Sequence, residues 1–140
     1  MAERERRLTD RLNNLQRLAP QGMAKARCAA MLTPEAEPEL RSYVQSIMAA
    51  IVPHGYTQAA HMLAHGDLLA DLTQLTVPIA VASGNADSIT PPVACQRAAA
   101  AAHTPWVDLG AVGHACALQA APMVNRLLGL APHPQPESPA

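Results

Sequence analysis

The chain is 140 residues long, one domain's worth, but its 49% hydrophobic content leans on alanine, with no Phe, one Trp and two Tyr, so the core it can build is thin. Ten basic residues against eleven acidic ones give a formal net charge of -1, which excludes the positive field that nucleic acid or an anionic membrane surface requires. Cys28, Cys95 and Cys116 are odd in number and unpatterned, neither a disulfide framework nor a metal knuckle, and a reducing, cytoplasmic location is expected.

Arg6-Arg7 near the amino terminus sits among acidic neighbours with no apolar stretch behind it, which does not read as a secretory or twin-arginine signal. No run approaches the roughly 18 apolar residues of a membrane span. Residues 4–18 place Leu8, Leu12, Leu15 and Leu18 at helical spacing, an amphipathic helix expected to stop at Pro20. A short second helix is expected over 23–32. Thr33-Pro34 then reads as an N-cap with proline at the first helical position, and Pro38 repeats the signal. Leu40, Tyr43, Val44, Ile47, Met48 and Ile51 form the clearest helical stripe, ending at Pro53. A fourth helix is expected over 56–65, with Gly66 as its stop.

The pattern changes after Asp71. Val77 to Ala82 is a short continuous apolar run that suits a buried parallel strand, and Gly84 to Asp87 leaves it in a turn. Thr90-Pro91-Pro92 starts a helix reaching His103, about 18 Å long at 1.5 Å per residue, which is one strand length. Pro105 to Leu109 is a second strand, Gly110 to His114 its exit loop, and 116–128 a final helix. The fold class is therefore α/β: helices over 1–70, then a βαβα unit over 71–130 with two parallel strands and a right-handed crossover. Residues 131–140 are a proline-rich tail with nothing to bury, expected to be disordered.

In such a unit both strands point the same way, so their exit loops emerge at one sheet edge. Paired strands lie about 4.8 Å apart, which brings Asp87 within reach of His114, 27 residues further on. A carboxylate accepting from one imidazole nitrogen fixes the tautomer and leaves the other as a general base. Asp108, inside the second strand, is the weaker acid candidate. Asp87 and His114 also have plainer readings, as a turn aspartate and a solvated loop histidine; their position at the carboxyl ends of parallel strands, where ligands bind in open α/β sheets, favours function.

The same residues carry a resemblance. Asp71-Leu-Thr-Gln-Leu-Thr-Val-Pro78, then Gly84-Asn-Ala-Asp87, then Gly113-His114 resemble the C-terminal part of an α/β-hydrolase, in which D-L-x-x-L/I-x-V-P precedes the strand, G-x-x-D bears the acid and G-H the histidine. Pro53-His-Gly-Tyr56 and Gly66-Asp-Leu68 are similar to the helical lid of the branch containing 3-oxoadipate enol-lactonases and small esterases. The resemblance implies a partial α/β-hydrolase fold, with 1–70 as lid and Met1 falling just after the strand that feeds it. It also implies hydrolysis of a small carboxylic ester or enol-lactone by a Ser-His-Asp mechanism, with Asp87 and His114 catalytic and no cofactor or metal.

The nucleophile is missing: no G-x-S-x-G occurs in the sequence, and Ser83 lies on the strand that carries the acid. Activity is not expected from the chain alone, and the implied partners are the missing N-terminal half or a second copy, besides the ester or lactone itself. Gln119 stands where the family has Glu. Two rival readings are a non-catalytic helical interaction module and an inactive gene remnant. His61 and His65 share a helix face as metal ligands do, with His54 and Asp67 nearby, but position 62 is Met rather than Glu, and they read as polar surface residues. Cys116 lies too close in sequence to His114 to face it. Met23, Met31, Met48 and Met62 read as packing rather than substrate surface.

Overall fold

Apolar positions at helical spacing organise the first half of the molecule, and two short strands organise the second. The computed structural model describes residues 2–130; Met1 and the expected tail over 131–140 lie outside them. In α1 (Ala2–Arg27), Leu8 and Leu12 pack on Ala60 and Ala64 of α3 (Pro53–His65), where the alanine methyls let two helices approach closely. Pro20 does not end α1. Ala19 alone leaves helical geometry (φ 52°, ψ 173°), which relieves the proline of the carbonyl it would otherwise strike and lets it start a new helical segment. The expected second helix is this continuation, closed by a 3-10 turn at Cys28–Met31.

Thr33 is not an N-cap. It is buried, its hydroxyl accepts a hydrogen bond from Gln119 Nε2 at 3.0 Å, and α2 (Pro38–Ala49) starts at the later proline. Arg41 folds back to donate to the Thr33 and Ala36 carbonyls, holding the intervening segment in a non-helical turn. Gly66 ends α3 with extended geometry (φ -68°) rather than the left-handed geometry of a glycine stop, its N–H donating to Met62 O at 2.8 Å. A further helix, α4 (Leu68–Leu72), is opened by the Asp67 carboxylate, which accepts from the Ala70 N–H at 3.3 Å.

β1 (Val81–Ser83) and β2 (Trp106–Asp108) pair in parallel, Val81 opposite Trp106 and Ser83 opposite Asp108, with α5 (Pro92–Ala101) as the return helix. The expected strand over 77–82 is shorter than its apolar run, and Val77 is 63% exposed. Among the described residues β1 has a partner on one side only, so the ladder extends no further than β2 can pair. The final helix is two pieces, α6 (Cys116–Gln119) and α7 (Ala121–Leu127). Pro122 offers no N–H to the Leu118 carbonyl and its ring would strike it, so the chain breaks at Ala120. The buried set mixes alanines with Leu8, Met23, Val44, Leu72 and Leu109, while Leu63 and Leu68 stand on the surface beside β1, along a groove of about 640 Å³ between α4, β1 and α5.

Candidate active site

The two strands deliver their exit loops side by side, and glycine lets them touch. A Cβ on Gly84 would lie 1.9 Å from the Val112 carbonyl oxygen, a distance no side chain tolerates. Backbone hydrogen bonds lace the loops together, Asn85 N–H to Gly110 O at 2.9 Å and Ala86 N–H to Val112 O at 3.2 Å. Gly110 itself takes a left-handed turn (φ 86°). Asp108 is committed to this turn, accepting from the Gly110 N–H at 2.8 Å and from Asn85 Nδ2 at 3.2 Å. Ser83 is buried and its Oγ accepts from Trp106 Nε1 at 2.9 Å, so this hydroxyl braces the sheet.

Asp87 follows at the end of the first loop, 6% exposed. Its Oδ1 accepts from the backbone N–H groups of Ile89 and Thr90 at 2.8 and 2.9 Å, and its Oδ2 lies 2.9 Å from His114 Nδ1. Burial pushes the carboxyl pKa up. The hydrogen bonds from Thr90, His114 and Ile89 together outweigh it and hold the group below its ordinary value. An ionised carboxylate only accepts, so Nδ1 carries the proton and Nε2 is left as the basic nitrogen. Nε2 has no hydrogen-bond partner among the described residues.

The histidine loop is pinned from below. Gly113 N–H donates to Gln119 Oε1 at 2.9 Å, and Gln119 Nε2 reaches Thr33 Oγ1. Ala115 N–H donates to Met31 O at 2.7 Å. A Cβ on Gly113 would come within 3.0 Å of Met31 and Leu32 backbone atoms, so the loop and the 3-10 turn are in direct backbone contact. Gln119 thus fixes the backbone beside His114, a role its amide performs with both ends. Its place just beyond Gly-His was the signal that could have revealed it.

His114, its side chain 34% exposed, opens onto a cavity of about 370 Å³ walled by Met23, Met31, Met48, Ile51 and Tyr56. Three of the four methionines read from the sequence as packing therefore line the space beside the imidazole, while Met62 is exposed. His61 and His65 stack on one helix face with ring centroids 5.8 Å apart, and His65 Nε2 meets Glu5 Oε1 of α1 at 3.2 Å. Asp67 caps α4. Among the described residues no group of three metal-ligating side chains assembles, Cys28, Cys95 and Cys116 are free thiols, and no helix is long and apolar enough to cross a membrane.

No protein-family model matches the chain, and no curated protein does. A solved structure of a thermophilic esterase from Thermogutta terrifontis, with malate bound, is similar at a TM-score of 0.78 and 19% identity, over 92% of this chain and 49% of that one. The fold, a helical layer with a two-stranded parallel sheet, is thus that of about half of an esterase chain.

Proposed function

We propose that the chain is the lid-and-histidine portion of an α/β-hydrolase acting on small carboxylic esters. Residues 2–70 form the lid and Asp87 and His114 the acid and base of a Ser-His-Asp site; enol-lactones are a narrower class open to the same chemistry. The observation that carries this reading is the 2.9 Å contact between the buried Asp87 carboxylate and His114 Nδ1, at the carboxyl ends of parallel strands and at the mouth of an apolar cavity. The similar esterase fold supports it.

In this reading a serine supplied by a complementary half attacks the ester carbonyl carbon and passes its proton to His114 Nε2. The tetrahedral intermediate collapses, expelling the alcohol, which takes that proton. Water, deprotonated by the same nitrogen, then releases the acid from the serine. Asp87 holds the ring in register throughout and stabilises the imidazolium. The complementary half docks on the free edge of β1 and the groove beside it, since an unpaired strand edge is a template for another strand.

The test is reconstitution. The chain is mixed with a separately produced α/β-hydrolase half carrying G-x-S-x-G, and hydrolysis of p-nitrophenyl butyrate is followed. Turnover that appears only in the mixture and is lost in His114→Ala supports the proposal. Turnover unaffected by His114→Ala contradicts it.

A further inference from the structure

We infer that Thr33, held by Arg41, positions His114 from the helical layer, so that the base is in register with Asp87 only while that layer is seated on the sheet. This rests on the hydrolytic reading above and concerns the base of that site. Three polar or charged residues are buried among the described residues: Thr33, Ser83 and Asp87. Ser83 braces the sheet and Asp87 holds the imidazole. Thr33 belongs to neither exit loop and stands just before α2. A hydroxyl withdrawn from water needs a partner, and its partner is Gln119, 86 residues further along the chain.

The peptide N–H groups on both sides of His114 are tied to this segment, one through Gln119 and one directly. The Gly113 N–H donates to Gln119 Oε1 at 2.9 Å, and Gln119 Nε2 donates to Thr33 Oγ1 at 3.0 Å. The Ala115 N–H donates to Met31 O at 2.7 Å. The segment is fixed in turn from α2, where Arg41 Nη2 donates to the Thr33 carbonyl at 3.1 Å and Nε to the Ala36 carbonyl at 2.9 Å. Both bonds are charge-assisted, and such bonds are stronger than those between neutral groups. Hydrogen bonds therefore run from Arg41 through Thr33 and Gln119 to Gly113, one residue from the imidazole. Asp87 does not place the ring unaided. Its 2.9 Å contact with Nδ1 is made only where the His114 backbone stands at the right height, and at ~3.6 Å it is no longer a hydrogen bond.

The test follows the His114 Nδ1 proton by nuclear magnetic resonance in the full chain, without substrate, with unfolding in urea measured alongside. Thr33→Val keeps the shape and removes the hydroxyl. In the folded variant the Nδ1 proton is expected to exchange with water at least about tenfold faster, the equivalent of one hydrogen bond. Thr33→Ser restores the hydroxyl and is expected to stay within about twofold of the parent. Thr73→Val removes an exposed hydroxyl that donates to the Ala70 carbonyl and is expected to leave His114 unmoved. Arg41→Gln is expected to act in the same direction as Thr33→Val, and to add less than about twofold to it in the double variant, as links in series do. It also provides the reading should Thr33→Val fail to fold. A lowered urea midpoint with unchanged His114 exchange in either folded variant makes Thr33 a packing residue and overturns the inference. So does an Arg41→Gln effect that adds in full to that of Thr33→Val. Neither result touches the hydrolytic reading, which His114→Ala decides in the reconstituted mixture.

Discussion

At the scale of single residues, the site depends on two glycines and one buried carboxylate. Replacing Gly84 by alanine forces its Cβ into the Val112 carbonyl, and the exit loops must part. The expected cost is at least about 1–3 kcal/mol, read as a lowered denaturation midpoint, with loss of the Asp87–His114 contact in the histidine spectrum. Asp87 contributes differently. Its pKa is lower folded than in an ordinary aspartate, so its ionised form stabilises the fold above the unfolded value of about 3.9, and that contribution is lost as pH falls through the lower folded value. Asp87→Asn removes this segment of the pH dependence, so acid titrations of stability for the two proteins are expected to differ by a constant amount above pH ~4 and to converge as the pH falls below it. The closeness of Asp87 and His114 was legible as a spacing, because one strand, one return helix and two turns fix it. The pairs Ser83–Trp106 and Asp108–Asn85 were not legible, since nothing in an apolar pattern says which hydroxyl or carboxylate a loop will consume.

At the scale of elements, the helices and strands follow their apolar periods, and the departures follow proline. Pro20 restarts a helix because Ala19 takes the kink, and Pro122 splits the last helix at Ala120; a period of 3.6 in the side chains cannot report on a missing N–H. The helix at Leu68–Leu72 is too short to show periodicity, and its cap, Asp67, was the only local signal. Gln119 links three elements, joining the histidine loop to α6 and to the segment before α2. Gln119→Leu leaves the Gly113 N–H without its acceptor and is expected to destabilise by about 1–3 kcal/mol, measured in urea. Gln119→Glu keeps an acceptor for Gly113 and leaves the rotatable Thr33 hydroxyl free to donate, and is expected to remain within about 1 kcal/mol of the parent.

At the scale of the molecule, the two-stranded sheet and the groove beside it present surface of the kind other chains pair with. A domain's net stability of about 5–15 kcal/mol is the remainder of large opposing quantities, and a core built so largely of alanine leaves little of it. The purified chain is expected to self-associate through β1, seen as concentration-dependent species in size-exclusion chromatography. Ala80→Lys, which sets a charge on the approach to that strand, is expected to shift the population toward monomer. A sharp monomer at all concentrations for the parent chain would show that the edge is already satisfied. The chain alone is also expected to hydrolyse no activated ester above its His114→Ala control, because no G-x-S-x-G nucleophile motif occurs in its sequence. The likeness to part of an esterase fold was legible only through motifs: Gly84-x-x-Asp87 and Gly113-His114 are present and G-x-S-x-G is not, whereas composition and periodicity describe helices and strands alone.

The central claim is that a buried, ionised Asp87 holds His114 with its proton on Nδ1 and its Nε2 free toward the cavity. Nitrogen-15 spectroscopy of the neutral histidine rings in the full chain tests this most directly. The account predicts the Nδ1–H tautomer at His114 and its loss in Asp87→Asn. A ring protonated on Nε2, or a spectrum indifferent to Asp87→Asn, would contradict it.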